Sequence, residues 1–335
     1  MSRYDIYGIG AALVDTEIEV TDQDLEQLGI DKGVMTLVDA DQQRDLIAKL
    51  SGHLVASKRA SGGSGANSII AASYLGARTF YSCKVASDEN GEFYLRDLAE
   101  AGVAYSGNST DHEGVTGKCL VMVTPDAERT MTTFLGISET LSVNEIDDFA
   151  LAQSDWVYIE GYLVTSATGK PAAKRLHDLA VQSGVRTAIS LSDPAIVKFF
   201  KSGLQEIIRD GVDLLFCNKA EALEFTGTSS IDAAIEQLKP WARQMAITQG
   251  AEGALLYDGK ELIQVDAVPI TAVDSNGAGD MFAGSFLYAL SQGMTFTEAG
   301  RLASHAAALV VSQFGPRLRP EQYGEIAVSC TKRQD

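Results

Sequence analysis

The sequence predicts an α/β fold: a three-layer α/β/α domain with a mainly parallel central sheet, joined by a small β-sheet. Three observations predict it. From Asp155 onward, apolar strand candidates alternate with helix candidates across short connections, as in a parallel sheet covered on both faces. Residues 117–124 and 129–135 form a hairpin across Pro125-Asp126-Ala127-Glu128, with the proline set to start the turn. At 335 residues the chain buries a large core, which suits one sizeable domain with an appendage better than two equal domains. The appendage is assigned residues 11–45 and 106–139, and the large domain residues 1–10, 46–105 and 140–335.

Bulk properties exclude several classes. A formal charge of −18 and a pI near 4.6 argue against a nucleic-acid partner, which needs a basic footprint. An anionic ligand must then be held locally, by backbone N–H groups and a divalent cation. Cys83, Cys119, Cys217 and Cys330 are far apart, with no paired spacing, so neither a disulfide framework nor a zinc site is indicated. Reduced thiols in a cytoplasmic protein are the simple reading. Met1-Ser2-Arg3-Tyr4-Asp5 has no signal-like apolar stretch, and no run reaches membrane-spanning length.

Residues 4–10 read as a short buried strand ending in glycines, with Asp15 a few residues beyond. Gly8-x-Gly10 invites a dinucleotide fingerprint, but Leu13 stands where a third glycine is needed. Thr16-Glu17-Ile18-Glu19-Val20 alternates as a half-exposed strand does, and residues 34–38 are a second β-like run. Gly62-Gly63-Ser64-Gly65-Ala66-Asn67 then opens a helix over Ile69 to Leu75. Its glycines permit close backbone approach. Asn67 offers a donor and an acceptor to a polyhydroxylated ligand, or else helps cap the helix. Phe134, near the end of the hairpin, stacks on a base or packs in the core.

In the second half, strand candidates lie at 156–160, 187–191, 214–217 and 245–248, with helices at 171–182 and 231–238 between them. Ligands in such sheets sit beyond the carboxyl ends of the strands. Asn218 and Glu221 fall there, as do Thr248, Gly250 and Gly253 after the next strand. Asn218-Lys219-Ala220-Glu221 also has the spacing of a helix capping box. No Gly-x-x-x-x-Gly-Lys-Ser/Thr occurs, which excludes a P-loop enzyme. His305 lies in the small-residue helix 301–311 and reads as an interior side chain rather than a base.

After the run 264–273 comes Asp274-Ser275-Asn276-Gly277-Ala278-Gly279-Asp280, which leads into an apolar segment with Phe282, Phe286, Leu287 and Leu290 at helical spacing. Two glycines and little side-chain bulk at a helix N-terminus make an anion site. Asp280 beside it either favours the positive helix end or takes a proton from an attacking hydroxyl.

This heptapeptide resembles the C-terminal signature of the ribokinase-like (PfkB) carbohydrate and nucleoside kinases, and Gly62-Gly63 with Asn67 resembles their N-terminal signature. The resemblance covers nearly the whole chain, in the family's order. It implies ATP and Mg²⁺ as cofactors and a small β-sheet lid. Asp280 is implied as catalytic base, with Gly277, Ala278 and Gly279 as anion hole. Asp15, Gly62, Gly63 and Asn67 are implied to hold sugar hydroxyls. Asn218, Thr248, Gly250, Gly253 and the region of His305 are implied to border the nucleotide. Glu221 is implied to organise the Mg²⁺ water shell, and Asp274 to border a monovalent cation such as K⁺. The family commonly has Thr at position 275 or 276, where this chain has Ser275 and Asn276. Tyr158-Ile159-Glu160-Gly161-Tyr162, Thr133-Phe134-Leu135-Gly136 and Ser190-Leu191-Ser192-Asp193-Pro194 resemble the adenosine kinase branch. Ser64 stands where the ribokinase branch has Lys. Adenosine is therefore the expected acceptor, with another purine nucleoside next and a free sugar such as ribose or fructose as the alternative. A non-catalytic nucleoside sensor on the same scaffold is the alternative of another class. The exposed lid sheet permits a monomer that opens and closes, or a homodimer.

Overall fold

The computed structural model of the chain describes residues 4–50, 52, 58–109, 112–126, 128–324 and 326. Cys330 and Ala127 of the hairpin turn lie outside them. Among the described residues the strands make two sheets. The larger contains β1 (Tyr4–Ile9), β5 (Thr79–Ser82), β6 (Ala104–Tyr105), β9 (Ser154–Glu160), β10 (Arg186–Ser190), β11 (Val212–Asn218), β12 (Ala242–Thr248), β13 (Ala254–Tyr257) and β14 (Leu262–Val265). Its order is β14-β13-β12-β11-β10-β9-β1-β5-β6. Every pair from β6 to β12 is parallel, and β13 and β14 extend one edge as antiparallel strands.

Both faces of this sheet are apolar, so both are covered. On one side lie α5 (Asp148–Ala152), α6 (Gly169–Ser183), α7 (Pro194–Ile208), α8 (Lys219–Thr226) and α9 (Ile231–Leu238), packed on Val157, Ile159, Ile189, Leu215 and Ile247. On the other lie α3 (Ser64–Leu75), α4 (Glu89–Glu100), α10 (Ala278–Ser291) and α11 (Phe296–Val311), packed on Ile6, Trp156, Tyr158, Leu214 and Phe216. This is the three-layer architecture expected.

The smaller sheet contains β2 (Leu13–Glu19), β3 (Met35–Leu37), β4 (Lys58–Gly62), β7 (Gly117–Val123) and β8 (Arg129–Phe134), ordered β3-β8-β7-β2-β4. With it go α1 (Asp22–Leu28) and α2 (Ala40–Lys49), and Leu25 of α1 packs on Ile18 and Leu120. Three expectations need correction here. Lys58–Gly62, assigned to the large domain, is a strand of this sheet, paired antiparallel to β2. Residues 16–20 are more buried than that pattern predicts, with only Glu19 exposed: Ile18 and Val20 pack against α1, and Asn276 meets Glu17, which is 2% exposed. The run 264–273 is a strand only at its start, as β14 ends at Val265. One short link, Gly10-Ala11-Ala12, carries the chain from β1 into β2. Asp15 is thereby placed above the carboxyl end of the large sheet.

Candidate active site

A cleft lies between the two sheets and is lined by residues from both. Asp15, Gly63, Asn67 and Asp280 line it together, with Ser64, Arg129, Glu160 and Asn276. Leu13, Met35, Leu37, Met131 and Leu135 give the small sheet an apolar wall over it. Phe134 is not part of that wall. Side chains alternate along β8, so Met131, Thr133 and Leu135 face the cleft and Phe134 faces away.

Two glycine-rich turns shape the polar end. Gly63 starts α3 at φ 91°, and a Cβ there would meet the Ala11 carbonyl oxygen at 2.4 Å. Gly62 fits against the Asp15 carboxyl, which a Cβ would meet at 2.0 Å. Gly62 therefore makes room for Asp15 rather than lining the cleft itself. Asn67 does not cap α3. Its Nδ2 donates to Asp280 Oδ2 at 3.0 Å, and Ser64 Oγ donates to Asp280 Oδ1 at 2.6 Å. A carboxylate only accepts, so this contact fixes which end of the Asn67 amide points at Asp280. Its Oδ1 is left buried with no hydrogen-bond partner, and so is Asp15 Oδ1. Buried acceptors without donors are costly. Two in one cleft favour a ligand that brings hydroxyl protons.

Burial raises the pKa of several carboxyl groups here. It pushes Asp15 well up, and the neighbouring Glu17 charge adds to the effect. It raises Asp280 as well, against the stabilising bonds from Ser64 and Asn67 and the Arg129 charge. Glu160, at the end of β9, is pushed to about 7 by burial although Ala11, Gly65 and Ser64 donate backbone N–H groups to it. Its bond from the Ala11 N–H is 2.6 Å long. No sequence motif marks Glu160 or Arg129 as a site residue. A carboxylate ending an otherwise apolar strand was the available signal for Glu160. A lone arginine starting a hairpin strand gave none.

Gly277 precedes α10 in the left-handed region, at φ 74°, and no side chain caps that helix. Space above Gly279 is open: a Cβ there would touch nothing within 4 Å. An uncapped N-terminus facing open space suits the phosphates of ATP. Ala278 and Asp280 share its first turn. Asn218 and Thr248 sit side by side at the ends of β11 and β12, outside the cleft and on the same carboxyl edge. Gly250 follows at φ 57° with open space beside it, and Gly253 at φ 87° packs on the Val265 carbonyl. His305 is half-buried on α11 and does not line the cleft.

Glu221 makes the capping box in full: Asn218 donates its backbone N–H and its side-chain amide to the two carboxylate oxygens, at 3.0 and 2.6 Å. Burial pushes its pKa to about 7. Among the described residues no group of three His, Cys, Asp or Glu side chains could cage a metal. With both Glu221 oxygens held by Asn218, a Mg²⁺ here would have to keep its waters and be held chiefly by phosphate. Asp274 is fully buried and accepts the backbone N–H groups of Asn276 and Gly315, at 2.8 and 2.9 Å. Both its oxygens hold the turn, which gives no support to a K⁺ ligand role for its side chain.

Comparison with known proteins agrees with this fold. Residues 30–322 match the pfkB family carbohydrate kinase profile. The crystal structure of adenosine kinase from Sinorhizobium meliloti superposes with a TM-score of 0.91 at 34% identity, covering 97% of this chain and 100% of that one. A probable sugar kinase from Rhizobium etli gives 0.91 at 31% identity, covering 98% and 99%. The adenosine kinase of Saccharomyces cerevisiae is 25% identical across 94% of this chain and 96% of its own. No described helix is long and apolar enough to cross a membrane. The chain belongs to the pfkB family of carbohydrate and nucleoside kinases, phosphotransferases that act on an alcohol group.

Proposed function

We propose that the protein phosphorylates the ribose 5′-hydroxyl of a purine nucleoside, adenosine first, using ATP and Mg²⁺. The observation that carries this reading is the pair of buried, unpartnered acceptors, Asp15 Oδ1 and Asn67 Oδ1, in the cleft that also holds Asp280. Asp15 and Asn67 accept hydrogen bonds from the sugar hydroxyls and so turn the CH₂OH toward Asp280. Asp280 takes the proton of that hydroxyl as it attacks. The amides of Gly277, Ala278 and Gly279 receive the charge that develops on the transferring phosphoryl, and Arg129 faces the same space. Mg²⁺, when bound near Glu221, neutralises charge on the phosphates.

The apolar wall supports a nucleoside over a free sugar. Met35, Leu37, Met131 and Leu135 offer a flat ring an apolar face, whereas a bare sugar would leave them against water. The adenosine kinase relatives support the same choice, and the probable sugar kinase relative supports the alternative. ADP release should be scored with adenosine, inosine, guanosine, ribose and fructose. Turnover confined to free sugars would overturn the nucleoside assignment. Asp280→Asn should lower kcat by about 10²–10⁴-fold in a folded protein; near-normal turnover would remove Asp280 as the base. Tight adenosine binding with no ADP formed would favour a sensor instead.

A further inference from the structure

Asn276 ties the turn before Gly277 to the small sheet. Asn276 Nδ2 donates to Glu17 Oε1 at 2.8 Å, and Arg129 Nη1 donates to Asn276 Oδ1 at 3.2 Å. Both Asn276 and Glu17 are buried. Glu17 lies two residues beyond Asp15 on β2, and Arg129 begins β8. The backbone of Asn276 is itself fixed, because its N–H bonds Asp274 and the next residue, Gly277, abuts the Pro316 carbonyl. One amide therefore joins three parts of the site: the strand bearing Asp15, the strand bearing the cleft's arginine and the turn that opens α10.

We infer that Asn276 is a positioning residue that sets the Arg129 guanidinium over the phosphoryl path and couples the small sheet to the α10 turn. The inference rests on the phosphotransfer reading. Four features support it. Arg129 needs a fixed acceptor, since its long side chain otherwise samples many rotamers. Asn276 supplies that acceptor without adding charge beside a phosphate. The amide can do so only with its donor end held, and Glu17 holds it. The Arg129 charge also favours the ionised form of Asp280, so its placement bears on the base as well.

The test is a double-mutant cycle in the full chain, with Asn276→Ala, Arg129→Ala and both together, assayed with ATP–Mg²⁺ and adenosine. Asn276→Ala should lower kcat about 10- to 100-fold, the scale expected for a misplaced catalytic group, with the KM for adenosine changed less than threefold. The double variant should be no slower than Arg129→Ala alone. Additive losses, or a loss confined to KM, would overturn the assignment. If the alanine variant is insoluble, Asn276→Ser carries the same comparison. Hydrogen exchange decides the coupling independently of turnover. In Asn276→Ala it should quicken in the segments 13–19 and 129–134 as well as at 274–280. Unchanged exchange in the two strands would overturn the coupling. A wild-type chain that transfers phosphate to no acceptor would sink the kinase reading, while the exchange result would still decide whether Asn276 couples the parts.

Discussion

Glu160 shows at the residue scale what the cleft costs the fold. The unfolded chain releases its proton near the ordinary value of 4.5, while the folded chain holds it to about 7. Across that window the folded state binds more protons, so the contribution of Glu160 to stability falls as pH rises and is lost above 7. Glu160→Gln lacks this term. Melting both proteins at pH 5 and pH 8 cancels the effect of the −18 net charge, which they share apart from one unit. The stability difference should shift toward the variant at pH 8 by on the order of 1–3 kcal/mol. A shift toward wild type would mean that the backbone donors, not burial, dominate. Residues in short motifs were legible in the sequence because neighbouring glycines fix their backbone: Asp280 and Asn67 were named from the turns they sit in. Glu160, Arg129 and the bonding of Asn276 were not, because their partners are far away in sequence. Asn276 meets Glu17 across 259 positions, and no local pattern encodes that contact.

At the scale of elements the site depends on how α3 lies against α10. Their contact is close at Gly284, where a Cβ would stand 2.1 Å from the Ser68 carbonyl oxygen. One turn away the same helix pair brings Ser64 and Asn67 onto Asp280. Gly284→Ala should therefore destabilise by about 1–3 kcal/mol and also slow turnover, because helices pushed apart there draw Asp280 from its partners. Gly279→Ala should do the opposite in one respect. Its Cβ meets nothing and the helix gains a better former, so the melting temperature should hold or rise. The methyl then stands in the space assigned to phosphate, and kcat/KM for ATP should fall at least about tenfold. Loss of stability with normal turnover in Gly279→Ala would refute an anion site at this turn. Helices α3, α6, α9, α10 and α11 were legible in the sequence, whereas α1, α2 and α7 were not. β4 was not, since Ser61-Gly62-Gly63 carries turn residues; it is a strand because Gly62 leaves room for Asp15 on the strand beside it.

For the whole molecule, the parallel sheet followed from strand–helix alternation, but strand order did not. Placing β1 between β9 and β5 depends on pairings that no window of sequence contains. The small sheet was legible in the hairpin and in the runs 16–20 and 34–38 but not in β4, an edge strand whose identity comes from its partner β2. What the sequence did carry at this scale is charge. A molecule of −18 repels a nucleotide at long range, and the attractive groups, Arg129 and the α10 N-terminus, act only once the nucleotide is near. Salt separates the two ranges: the Debye length is roughly 30 Å at 0.01 M and about 8 Å at 0.15 M. Raising ionic strength between those values should screen the repulsion and leave the short contacts largely intact. The kcat/KM for ATP–Mg²⁺ should then rise severalfold, while that for uncharged adenosine stays flat. A steady fall for ATP–Mg²⁺ over the same range would mean that a local positive field reaches out beyond the cleft, and that the acidic surface plays no part in nucleotide capture.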